Sequence, residues 1–229
     1  ISAKRRRDFL EGYLKHDLKA LGFDINSRNL TICLKYLATM NGCEFKTNTY
    51  QKALSLNHKE ITEALAVLQR LLLVRILEPW SINVRHQVTR NPTLYVRDTG
   101  LLHSLLNLNS AEDLLDYAQR GKSWEGFVIE AMIGAAINAQ KFNRGYYFRT
   151  EKGKFELDFV MDRGRGVLWA IEIKLSPTER IRASHIEAAE MIGAERRFFV
   201  HASQDPPFEK KGGFDALSLM DMRRTIAVD

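Results

Sequence analysis

Two carboxylates and an amine stand close together late in the chain: Asp158, then after thirteen residues Glu172, Ile173 and Lys174. Carboxylates are hard oxygen ligands suited to Mg²⁺ or Mn²⁺, and Mg²⁺ takes one or two of them while keeping several waters. An ammonium beside such a cation could orient or deprotonate an attacking water and steady the charge that builds on a phosphate. All of this requires convergence, and the flanking residues predict it. Alternate residues of a strand share a face, so Phe155, Leu157, Phe159 and Met161 point one way, and Glu156, Asp158 and Val160 the other. In the next run Val167, Trp169, Ile171 and Ile173 form one face, and Leu168, Ala170, Glu172 and Lys174 the other. Antiparallel pairing through the short turn merges the two bulky faces and puts Asp158, Glu172 and Lys174 on the opposite side.

Two readings of that face are open. One is a solvated hairpin with a cross-strand Lys–Glu pair worth under about 1 kcal/mol. The other is a metal site. Val160, Leu168 and Ala170 lie on the same face, which makes it covered, and a covered pair of carboxylates is costly without a cation between them.

Around the hairpin, the pattern predicts a helix over 123–140, strands over 146–150, 155–161 and 167–175, a helix over 178–192 and a strand over 196–201. A Pro/Gly-rich loop and a last apolar segment from Phe214 follow, for the order αβββαβ. The Asp158, Glu172, Lys174 spacing resembles the signature of PD-(D/E)XK nucleases, whose core has this same order. By that resemblance the three residues are catalytic, Asp158 and Glu172 bind Mg²⁺ or Mn²⁺, and the preceding helix contributes a further acid. That helix is apolar nearly all round, hence expected to be buried, and carries Glu125 and Glu130. These lie about 140° apart, so at most one can face the hairpins. Glu125, in the first turn, is the candidate catalytic and metal-binding acid; its other reading is a residue complementing the helix dipole.

Ahead of this region, helices are predicted over 5–20, from Ser27 to about Gly42, over 49–54 and from Asn57, where Glu60 completes a capping box. Runs 73–77 and 94–97 suit a β-ribbon. Together they make a winged helix-turn-helix, in which the helix after Asn57 would enter a DNA major groove and present Lys59, Glu60, Glu63, Gln69 and Arg70. The wing offers Arg75, Arg85, His86, Arg90 and Arg97, so Lys59, Arg75, Arg85 and Arg90 are the candidate nucleic-acid contacts. DNA contact and a packing or protein-docking role both fit this domain. The basic excess is N-terminal: residues 1–96 carry 15 Lys+Arg against 8 Asp+Glu, and 97–229 carry 19 against 20. The run Lys4, Arg5, Arg6, Arg7 reads as a solvated helix start or linker tail.

A longer resemblance spans most of the chain. The stretches Arg7-Asp8-Phe9-Leu10, Leu94-Tyr95, Asp98-Thr99-Gly100-Leu101, Trp124-Glu125-Gly126-Phe127-Val128, Tyr147-Phe148-Arg149-Thr150, Glu156-Leu157-Asp158-Phe159-Val160 and Ile171-Glu172-Ile173-Lys174 look like the C-terminal half of certain prokaryotic AAA+ ATPases. There a domain of unknown function, winged helix plus nuclease-like fold, follows the ATPase. The resemblance implies residues 1–25 as helix and linker from a missing ATPase module, 26–97 as winged helix-turn-helix and 98–229 as the nuclease-like domain. Glu156 and Arg149 are motif positions without an assigned role. Gly121-Lys122-Ser123 imitates the end of a phosphate loop, but Asp116 stands where that motif needs Gly, so ATP is expected only in the missing module.

The expected function is hydrolysis of DNA phosphodiesters, or a catalytically silent module that binds nucleic acid or protein for the ATPase. With no apolar run approaching the roughly 20 residues needed to cross a bilayer, no membrane partner and a cytoplasmic location are expected. Cys33 and Cys43 are expected to be reduced thiols.

Overall fold

The computed structural model describes residues 3–14, 18, 25–81, 90–176, 179–203 and 210–229. It is a mixed α/β protein that divides into two compact units, Ile1–Ile76 with Thr93–Gly126, and Leu77–Pro92 with Phe127–Asp229.

In the first unit, helices Ala3–Gly12, Ser27–Thr39, Thr47–Leu54 and His58–Arg70 precede strand β2 (Val74–Pro79), whose residues from Leu77 on belong to the second unit, with the short β1 (Cys43–Glu44) between the second and third helices. β1 pairs antiparallel with β3 (Thr93–Val96), and β3 lies beside β2. The 27–39 helix starts where the Asn26 side chain accepts from Arg28 N. The 58–70 helix starts in the expected capping box: Asn57 accepts from Glu60 N at 3.0 Å, and the Glu60 carboxylate accepts from Asn57 N at 2.8 Å. Their apolar stripes, Leu30, Leu34 and Leu37 against Ile61, Leu65 and Leu68, are buried together with Tyr50, Leu94 and Val96. Burying each such side chain contributes about 1.5–3 kcal/mol relative to exposure. The tip expected to carry Arg85 and His86 lies outside the described residues.

The helix Thr99–Leu105 is followed by a second short helix, Ala111–Asp116. Ser110 and Asp113 cap it reciprocally, a carboxylate at the third position doing what Glu does in the commoner box.

The long helix Arg120–Asn138 begins three residues earlier than its pattern predicts. It is also less enclosed than an all-round apolar helix should be, since Phe127 and Ile137 are 45% and 56% exposed.

The second unit is built on β4 (Arg144–Arg149), β5 (Glu156–Asp162), β6 (Leu168–Lys174), β7 (Arg196–His201), β8 (Lys210–Lys211) and β9 (Phe214–Ser218). Their order across the sheet is β4-β5-β6-β7-β9-β8, with Glu78 and Pro79 of β2 alongside β4. The β4–β5–β6 pairs are antiparallel, and β6–β7–β9 are parallel. The β5–β6 turn depends on glycine. Gly164, Arg165 and Gly166 have φ of +86°, +55° and +81°, a region where a Cβ is strained. Asp162 Oδ1 accepts from Gly164 N at 2.7 Å, and Arg163 N donates to Val167 O at 3.0 Å.

This turn fixes the register Phe159↔Ile171, Val160↔Ala170 and Met161↔Trp169. A one-residue slip would send every side chain to the wrong face. β6 is buried along both faces, as a strand covered on two sides must be.

Between β6 and β7 the helix is Ala183–Met191, shorter than the expected 178–192. Ile181 is used instead as a buried residue of the core with Ala188, Ala189 and Phe199, and Arg182 is an extended N-cap. Past Phe214 the apolar segment resolves into β9 and the helix Leu219–Val228, capped by Ser218.

Candidate active site

Asp158 on β5 and Glu172 and Lys174 on β6 come together as the strand pattern predicts. Lys174 Nζ lies 3.1 Å from Asp158 Oδ2 and bonds directly to Glu172 Oε1. Asp158 Oδ2 also accepts from the Ile173 backbone N–H at 2.9 Å, which ties β5 to β6 just beyond the last residue pair of their ladder. The face is covered: Glu172 is 1% exposed and the Asp158 side chain 11%. The Ala183–Met191 helix packs on β5, and Val160, Leu168 and Ala170 share a buried cluster with its Ala188 and Ala189. Of the two open readings, the solvated hairpin face is therefore wrong.

That helix brings a residue that the strand pattern could not supply. His185, 3% exposed, places Nε2 3.4 Å from Glu172 Oε1. Its Nδ1 accepts from the Arg182 backbone N–H at 3.3 Å. Among the described residues, Glu172 Oε2 has no hydrogen-bond partner. On the neighbouring register pair, Arg149 Nε meets Glu156 Oε2 at 3.2 Å, so these two motif positions form a partly exposed ion pair.

The electrostatics follow from burial. Burial and the adjacent Asp158 carboxylate push Glu172 well above the ordinary carboxylate range, with Lys174 pulling it back. For Lys174 burial alone would lower the pKa, but Asp158 and Glu172 outweigh it and hold the amine above the usual lysine value. Burial, then the Lys174 charge, lowers His185, so its imidazole is neutral near pH 7. With both carboxylates ionised, the cluster has one negative charge more than its single ammonium neutralises.

Glu125 belongs to the other compact unit. It is 5% exposed, its Oε1 accepts from Tyr95 Oη, and its Oε2 lies 2.6 Å from Lys122 Nζ. Because the helix starts at Arg120, Glu125 is past the first turn, and the dipole-complementing role expected of a first-turn acid does not apply. Gly121, Lys122 and Ser123 are helical. Of the candidate nucleic-acid contacts, Lys59 is exposed and 3.8 Å from Glu63, Arg75 is half-buried, Arg90 is exposed and Arg85 is outside the described residues. Among the described residues no three His, Cys, Asp or Glu side chains group as a ready metal cage, and no helix is long and apolar enough to cross a membrane.

Two family models match the chain. Residues 2–112 match a domain of unknown function, DUF8612, and residues 120–222 match another, DUF4143. The second match contains Asp158, Glu172, Lys174 and His185. The chain is also 34% identical over 183 residues to the uncharacterized proteins Rv2008c of Mycobacterium tuberculosis and Mb2031c of Mycobacterium bovis. That alignment takes in 80% of this chain and 40% of each relative, so the chain spans about two fifths of their length. No solved structure matches it.

Proposed function

We propose that the second unit is a metal-dependent nuclease core of the PD-(D/E)XK type that hydrolyses DNA phosphodiesters. In this reading the three-helix and β-ribbon part of the first unit is a winged helix, and the chain is the C-terminal portion of an AAA+ ATPase. Its match to only two fifths of longer relatives is compatible with that place in a larger protein.

The observation that carries the reading is the buried carboxyl pair Asp158 and Glu172 beside the Lys174 ammonium, with no hydrogen-bond partner for Glu172 Oε2 among the described residues. Unpaired buried carboxylate oxygen is costly, and a divalent cation satisfies both its bonding and its charge. The residues present therefore fit Mg²⁺ or Mn²⁺, which Asp158 and Glu172 would hold with waters completing the shell. When bound, such a cation polarises a phosphate oxygen and lowers the pKa of a coordinated water.

The chain's own residues do the rest. The Ile173 N–H fixes Asp158, and the closed β5–β6 face excludes bulk water around the carboxylates. Lys174, held protonated by its two neighbours, serves as a fixed cation at the phosphate rather than as the base.

A second reading, a silent nucleic-acid- or protein-binding module of the ATPase, is favoured by one feature: the Lys174 ammonium contacts both carboxylates and so offsets part of their charge itself. Cleavage of plasmid and single-stranded DNA with Mn²⁺ separates the two. The nuclease reading expects turnover that falls at least about 100-fold in Asp158→Ala and Lys174→Ala, in the range seen when one charge-stabilising group is removed. Cleavage unchanged in both variants, or salt-dependent binding with no cleavage, goes against it.

A further inference from the structure

The Ala183–Met191 helix places a histidine against a carboxylate of the cluster that has an unpartnered oxygen. Nε2 of His185 is 3.4 Å from Oε1 of Glu172, the same oxygen that Lys174 takes, while Oε2 is left without a partner. The donor sense is fixed locally. His185 Nδ1 accepts the N–H of Arg182, the N-cap of the helix, so in the neutral ring the proton is on Nε2, the nitrogen 3.4 Å from the carboxylate. Both side chains are almost fully buried, at 3% and 1% exposed, so no bulk water competes for this contact.

A carboxylate on a flexible side chain has two equivalent oxygens and can rotate between them. With the Lys174 ammonium bonded to Oε1 from β6 and the His185 imidazole 3.4 Å from the same oxygen on the helix side, that freedom is restricted. Ligand orientation by such outer hydrogen bonds is a general device of metal sites.

We propose that His185 is a positioning residue: its N–H and the Lys174 ammonium hold Glu172 by Oε1, so that Oε2 is the oxygen presented to a divalent cation. This rests on the nuclease reading of the site and adds to it a residue from outside the two strands.

The test is Mn²⁺ binding by calorimetry, alongside near-ultraviolet circular dichroism of the metal-free chain. His185→Leu keeps the bulk and removes the donor; His185→Gln keeps an N–H at similar reach. Loss of an orienting group costs about 10–100-fold in metal affinity. His185→Leu should therefore bind Mn²⁺ about 10–100-fold more weakly than wild type, and His185→Gln should recover most of that loss, with both retaining a native spectrum. Should His185→Leu fail to fold, His185→Asn, whose amide falls short of Glu172, takes its place with the same expected loss.

Wild-type affinity in the donor-less variant, or an equal loss in His185→Gln, overturns the role of His185 and leaves the nuclease reading standing. Absence of Mn²⁺ binding by the wild type overturns both.

Discussion

At the scale of single residues the site is governed by the cost of burying charge. Glu172 is nearly inaccessible, and burial with the Asp158 carboxylate raises its pKa above that of an unfolded glutamate. The sign of the consequence is definite. Below about pH 4.3 the group is protonated in both states and has no effect; as pH rises further the unfolded chain loses its proton first, so ionisation favours unfolding. The stabilisation of Glu172→Gln relative to wild type should therefore grow as pH rises from about 4.5 toward the raised folded value, in urea denaturation. A difference that is flat or shrinks with pH would count against this charge balance. Lys174 has the same sign at higher pH: its raised pKa contributes stability present below about pH 10.4 and lost as pH rises through its folded value. His185 illustrates what a chain pattern leaves out. Its local hint is that it shares a buried helical stripe with Ala188 and Ala189, spacing that more often marks core than chemistry. Only the fold sets it against Glu172.

Among the elements, the β5–β6 hairpin positions Asp158, Glu172 and Lys174, and its turn positions the hairpin. Gly166 at φ +81° is open on the side where a Cβ would sit, so replacing it tests backbone strain without a clash. Gly166→Ala should lower stability by about 1–2 kcal/mol in urea denaturation. No measurable change would mean that the turn is not what fixes the register. The hairpin is legible in the sequence because alternation of bulky and polar residues has period two and the turn carries two glycines. The 58–70 helix is legible from its capping box. The helix Ala111–Asp116 is not, since it is short, buries none of its residues and has Asp where the commoner box has Glu. The early start expected of the helix before β7 fails for a different reason. Ile181 is apolar and in phase with a helical stripe, yet it is buried from a segment ahead of the helix, which periodicity cannot distinguish.

For the whole molecule, charge is unevenly spread, with the excess of Lys and Arg in residues 1–96 and near balance beyond. If the first unit supplies DNA affinity, that affinity must fall steeply with salt, because each phosphate neutralised releases counterions. Removing Lys59 or Arg75 should weaken binding to unrelated sequences alike and flatten the log-affinity against log-salt slope by about one for each phosphate no longer neutralised. Slopes unchanged in both variants would point to a protein-docking role for this unit. The claim on which the rest depends is that Asp158 and Glu172 hold a catalytic cation. Calorimetric titration of Mn²⁺ into the wild-type chain and into Glu172→Ala tests it most directly. A saturable isotherm in the wild type that is abolished or at least about 100-fold weaker in the variant is the predicted result. Identical isotherms, or no binding by the wild type at all, would contradict it.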